Sequence, residues 1–143
     1  MRCLTLVLVA LVAADVSAKR KPPVEAGKKF APSQNWTAVV SDNALADEAP
    51  KSPVITDAKT FEKLWKAWRK DDKLPAVDFK DHFVLVTLSK GGPNKPNING
   101  TLDDKGNLKV VAFSTLIGGD GFGYSIATFP RKGVKTVNGE KLP

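Results

Sequence analysis

A histidine beside an acid is a common start for a proton relay, and this chain has one such place. His82 is its single histidine and directly follows Asp81. A hydrolase built on it needs a hydroxyl nucleophile, and Ser89 and Ser125 are the candidates. Two features argue against that chemistry. Neighbouring residues in a strand point to opposite faces, so Asp81 is badly placed to orient His82 if both lie in one strand. Neither serine sits in a Gly-x-Ser-x-Gly elbow. A small hydrolase using His82 with a serine is therefore an alternative and not the main expectation. One histidine also excludes multi-histidine metal sites. The lone cysteine, Cys3, excludes a disulfide framework and a Cys-ligated zinc site. Asp103, Asp104 and Asn107 offer oxygens to calcium, but the alternating ligands and distant Glu of an EF-hand are missing. A polar turn accounts for them. No catalytic residue, cofactor or metal is expected.

Glycine makes a second candidate. Gly118-Gly119-Asp120-Gly121-Phe122-Gly123 is glycine-rich without the Gly-x-Gly-x-x-Gly spacing, and no helix follows to offer its N-terminus to a phosphate. It reads as a strand connection, as does Gly91-Gly92-Pro93-Asn94-Lys95-Pro96. Binding residues concentrate on loops held by a rigid scaffold. The candidate ligand or partner residues are therefore Gly91, Gly92, Asn94, Gly119, Asp120, Phe122 and Tyr124.

Charge narrows the partner class. The 143 residues include 22 Lys plus Arg against 15 Asp plus Glu, a net charge of +7, with 42% apolar and 26% charged residues. That is ordinary composition for one globular domain. The positive charge is spread along the chain, Arg is scarce, and the aromatics are not interleaved with it. A single-strand nucleic-acid binder needs a basic groove with stacking rings, so nucleic acid is not an expected partner. Weak attraction to an acidic glycan or an anionic surface fits better. Asn35-Trp36-Thr37 and Asn99-Gly100-Thr101 match the glycosylation triplet, which matters only in a host that glycosylates exported proteins.

Residues 1–18 read as a secretory signal peptide. Arg2 precedes the apolar run Leu4 to Ala14, and Val16-Ser17-Ala18 supplies small residues for cleavage after Ala18. The run is about 11 residues, well short of the roughly 20 that span a bilayer as a helix. No other long apolar run follows, so no transmembrane segment is expected after signal removal. The mature product is expected to be secreted or periplasmic. Residues 19–33, rich in Lys and Pro, read as a flexible basic leader. Residues 34–143 read as a single domain.

Within that domain the strongest element is a helix over Thr56 to Lys70. Phe61, Leu64, Trp65 and Trp68 recur at helical spacing and form one apolar face. Thr56 is placed to cap it, with Asp57 favoured in the first turn, and Glu62 and Lys66 are spaced as an i,i+4 pair. Asp71, Asp72 and Pro75 end it. A tryptophan stripe can also serve a sugar, so envelope-glycan binding through Trp36, Trp65 and Trp68 is a further alternative. A core role suits the stripe better, because a helix this short needs a partner surface. Strands are expected at 36–41, 82–88, 98–102, 108–115 and 124–129. A terminal hairpin is expected over 134–142, turning at Asn138-Gly139. Residues 42–53 read as a loop. The fold class is α+β, a mostly antiparallel sheet of five to seven short strands with one amphipathic helix on one face.

The order Pro53-Val54-Ile55-Thr56, Phe61-Glu62-Lys63-Leu64-Trp65, Pro75-Ala76-Val77-Asp78-Phe79 and Phe83-Val84-Leu85-Val86 resembles the C-terminal domain of PrcB-type protease-complex subunits. The resemblance covers roughly residues 53–137. Tyr124 to Phe129 stands where that family has a late strand, and Gly91-Gly92-Pro93 stands where it has Gly-Gly-Tyr. The resemblance implies an exported accessory subunit that binds or matures a protease, and it brings no catalytic residues. With the export signal, it points to a non-enzymatic domain that binds another exported or cell-envelope protein.

Overall fold

A strand whose side chains are all apolar has no face for solvent, and Phe83-Val84-Leu85-Val86 is such a run. The computed structural model of the chain describes residues 27–143 and places this run between two apolar layers. In chain order the elements are β1 (Lys28–Lys29), β2 (Gln34–Val40), a 3-10 turn (Asn43–Glu48), β3 (Val54–Ile55), α1 (Ala58–Trp68), β4 (His82–Lys90), β5 (Asn97–Leu102), β6 (Asn107–Phe113), β7 (Phe122–Pro130), β8 (Thr136–Val137) and β9 (Glu140–Lys141). The signal segment 1–18 and the leader as far as Ala26 lie outside the described residues.

The fold is α+β, as expected, but its strands divide into two sheets where one was expected. A four-stranded sheet runs β2-β7-β4-β3 and a five-stranded sheet runs β1-β5-β6-β8-β9. Every pairing is antiparallel except that of β6 with β8. Alternation along a strand tells which residues share a face; it does not tell which sheet the strand joins. Here β5 and β6 pair locally through the Asp103–Asn107 turn, while β4 passes over both to pair with β7.

The central strand β7 is buried at every position but Pro130. On one face, Phe122, Tyr124 and Ile126 join Val84 and Val86 beneath Phe61, Leu64, Trp65 and Trp68 of α1. On the other, Phe83, Leu85, Ala127 and Phe129 meet Ile98, Leu108 and Val110 of the five-stranded sheet. The layers are helix, sheet, sheet. Each fully buried large side chain contributes roughly 1.5–3 kcal/mol before entropy is subtracted. Both buried tryptophans have their polar end satisfied. Trp65 Nε1–H donates to the Asp72 carbonyl at 3.1 Å, and Trp68 Nε1–H donates to the Leu45 carbonyl at 2.7 Å.

Local details depart from expectation in three places. The helix cap is Asp57, whose Oδ1 accepts from the Thr60 N–H at 2.8 Å, so the helix starts later than Thr56. The expected loop 42–53 contains the 3-10 turn. The leader expected to stay flexible to Ser33 is sheet-paired from Lys28, with Lys29 opposite Thr101. Its one aromatic explains this: the Phe30 ring stacks on Phe129 at 6.1 Å, and the Phe30 N–H donates to Gly100 at 2.8 Å. The terminal hairpin follows expectation, with Asn138 at φ 49 and Gly139 at φ 91 as a type I′ turn requires.

Candidate partner-binding surface

A buried amide side chain must find partners for both its ends. Asn94, only 2% exposed, finds them on one short stretch of chain. Its Nδ2 donates to the Ile117 carbonyl at 2.8 Å. Its Oδ1 accepts from the Ile117 N–H at 2.8 Å and from the Thr115 hydroxyl at 2.9 Å. The Gly92 N–H donates to the Gly121 carbonyl at 3.2 Å, and Gly92 forms a bridge with Phe122. The two glycine-rich loops singled out in the sequence thus meet at one end of the four-stranded sheet. Glycine is required at the junction. A Cβ on Gly92 would lie 1.9 Å from the Ile117 oxygen, and one on Gly123 would lie 1.9 Å from the Asn94 oxygen.

This clamp leaves apolar side chains in solvent. Leu116 is 96% exposed and Ile117 is 60% exposed, and Val111 and Phe113 just before them are about half exposed. Clustered exposed apolar residues of this kind mark interaction sites. Leu116 and Ile117 are absent from the residues that sequence reasoning selected. The available signal was an aliphatic pair set between a strand and Gly118-Gly119, with no periodicity to turn it inward.

The other selected residues divide. Gly91, Gly119 and Asp120 are exposed at the loop surface. Phe122 and Tyr124 were expected in or beside a binding loop, but they are residues of β7 with no exposure. Their rings pack on Trp68 at 5.3 and 4.9 Å, and the gain from burying such large rings is what overrides the glycines around them. The Tyr124 hydroxyl accepts from Arg69 Nη1 at 3.2 Å. That guanidinium also holds Asp72 at 2.6 Å and lies 4.8 Å over the Trp65 ring. Burial pushes the Tyr124 phenol up, against an opposing pull from Arg69. The pair borders a cleft of about 430 Å³ between the end of β2 and the C-terminal end of α1.

No triad forms. His82 stands opposite Pro130, while Ser125 stands opposite Thr87, five positions along β4. That is roughly 17 Å at strand rise. The Ser125 hydroxyl donates to Asn35 Oδ1 at 2.6 Å, and Ser89 accepts from the Ser114 hydroxyl at 3.1 Å. His82 instead borders a cleft of about 370 Å³ with Gln34, Asp78 and Thr128. The Asp103 carboxylate accepts from the N–H groups of Lys105 and Asn107 and from the Asn107 side chain, which builds the polar turn. Asn107 holds its carboxyl below the usual aspartate range. Trp65 and Trp68 are buried and Trp36 is half-buried edge-on to Trp65 at 5.3 Å, so two of the three offer no face to a sugar. Among the described residues, no helix is long and apolar enough to cross a membrane.

No family model, curated protein or solved structure matches the chain.

Proposed function

We propose that this chain is an exported, non-enzymatic accessory domain that works by binding another protein of the cell envelope or exterior. One observation carries the proposal: the Asn94 clamp fixes a loop whose Leu116 and Ile117 side chains stand in solvent. Exposed aliphatic side chains on a tethered backbone cost little entropy to dock, because the backbone is already ordered. The separation of His82 from both serines supports a binding role over a hydrolytic one. Export rests on the pattern of residues 1–18, and the association with a protease rests on the PrcB-type motifs.

The test is a photo-crosslinking residue placed at position 116 of the full chain in an exporting host, with a second placed at the exposed Lys73. A protein adduct specific to position 116 is expected. Adducts that are equal at the two positions, or found only with lipid or glycan, would overturn the proposal.

A further inference from the structure

The partner site has a second component in the backbone of β6. Hydrogen-bonding direction alternates along a strand. The Leu108 carbonyl accepts from the Asn138 N–H at 2.8 Å, and the Val110 N–H donates to Asn138 Oδ1 at 2.7 Å. Residues 108 and 110 therefore direct their polar groups away from β5, and Ala112 does the same. The opposite side agrees, since Gly100, which faces Val110 in the register, accepts from the Phe30 N–H of the leader. The pairing of β6 with β8 stops at Leu108 opposite Val137, and Asn138 covers one more N–H with its side chain. Beyond it, among the described residues, the edge is open: Val111, Ala112 and Phe113 are all exposed. The Ala112 N–H and carbonyl face outward along it. An unpaired edge of this sort is a template for another strand.

We infer that an extended segment of the partner, apolar at its centre and carrying Asp or Glu beside it, adds as a strand along Val110 to Phe113. This rests on the protein-binding reading above and names how the partner is held. The apolar requirement comes from Val111 and Phe113, which share the outer face of the sheet. The acidic requirement comes from that same face. The register places Lys29, Thr101 and Lys109 in one row and Asn107, Thr136 and Lys141 in another, with Asn99 and Asn97 opposite Val111 and Phe113. These positions hold three lysines, and the one carboxylate beside them, Asp103, is already taken by the Asn107 side chain and N–H. A second copy of the chain is a poor occupant, because an edge-to-edge dimer would bring the Lys109 side chains of two copies near one another on a protein of net charge +7. Backbone hydrogen bonds to the edge then give affinity, and the side chains of the sheet face select.

The experiment selects binders from a random octapeptide display library against the immobilised full chain. The expected binders alternate apolar with other residues and carry Asp or Glu. The Ala112 amide of the unaltered chain should become protected from hydrogen exchange when a selected peptide is added. Ala112→Pro removes an outward N–H without removing a bond to β5, and it should weaken binding by roughly tenfold or more. Lys109→Glu should weaken it several-fold, and less at high salt. An unprotected Ala112 amide overturns the inference even if Ala112→Pro fails to fold. So does a library that returns no acidic binder, binding by acidic glycan alone, or dimerisation of the free chain through this edge. A specific protein adduct at position 116 together with any of these would leave the wider binding role standing and remove strand addition alone.

Discussion

Asn94 grips the Ile117 peptide at both ends, donating to its carbonyl and accepting from its N–H, each at 2.8 Å. A side chain buried between two loops thereby does for one residue what a neighbouring strand would do. The bonds run from a buried position to one whose residue is mostly exposed. Three of the bonds that tie these loops converge on this one amide, so a single substitution removes them together.

Asn94→Ala removes both of those bonds and the one from Thr115. It is expected to cost about 1–3 kcal/mol of stability. The Ile117 amide should exchange with solvent far faster than in the parent chain. Asn94→Asp keeps the acceptors, loses the donor to Ile117, and buries a charge, so it should be no better tolerated. Amide exchange measured by NMR checks both; unchanged protection of Ile117 in Asn94→Ala would rule out the clamp.

Tyr124→Phe deletes the hydroxyl that accepts from Arg69 and should cost about 1 kcal/mol near neutral pH. It should also change the alkaline limb. Burial raises the folded-state phenol above its ordinary value of 10.0. The unfolded chain loses that proton first, so the stabilisation is whole below the unfolded value and is lost as pH rises through the folded one. Melting temperatures from about pH 8 to about pH 11 should fall less steeply for Tyr124→Phe than for the parent.

Asp103→Ala addresses the acid limb. The Asn107 side chain and N–H lower the Asp103 carboxyl from its ordinary 3.8. A depressed carboxylate stabilises the fold above the unfolded value, and that contribution is lost as pH falls through the folded value. The variant should be less stable at neutral pH and should lose stability less steeply on acidification, as read by thermal melts from about pH 6 to about pH 2.

Thr128 is 2% exposed and its hydroxyl has no hydrogen-bond partner among the described residues. Thr128→Val replaces that hydroxyl with a methyl of nearly the same size. It should stabilise the domain by about 1 kcal/mol. A lower melting temperature would mean that the hydroxyl is satisfied in solution.

Most of the elements were legible because their periodicity reports local burial. Phe61, Leu64, Trp65 and Trp68 mark the buried face of α1 at helical spacing, and they are the four buried residues of that helix. The run at 83–86 marked a central strand. Asn138-Gly139 marked a turn that only positive φ at both positions allows. The division into two sheets was not legible, since it depends on β4 choosing β7 over β5 and no local pattern encodes that choice. Phe30 was hidden because a single ring does not change the composition of a Lys- and Pro-rich stretch. The site was half legible. The glycines and Asn94 marked where the loops lie. Phe122 was misread as loop because glycines at 121 and 123 look like loop, although each is there to let another backbone pass close by, and Tyr124, correctly read as strand, was wrongly expected to be open to a partner. Leu116 and Ile117 carry no periodicity, and their tether to Asn94 lies more than twenty positions away in the chain.

The place of β7 in the chain sets the order in which the molecule can assemble. Among the described residues, β2 has no partner but β7, and β4 has only the two-residue β3 on its other side. A nascent chain that ends before Phe122 therefore holds two long strands with nothing between them and a helix with half its floor missing. Neither apolar layer is complete until β7 is present, because β7 supplies residues to both. The last 22 residues, Phe122 to Pro143, thus carry the strand on which both apolar layers close.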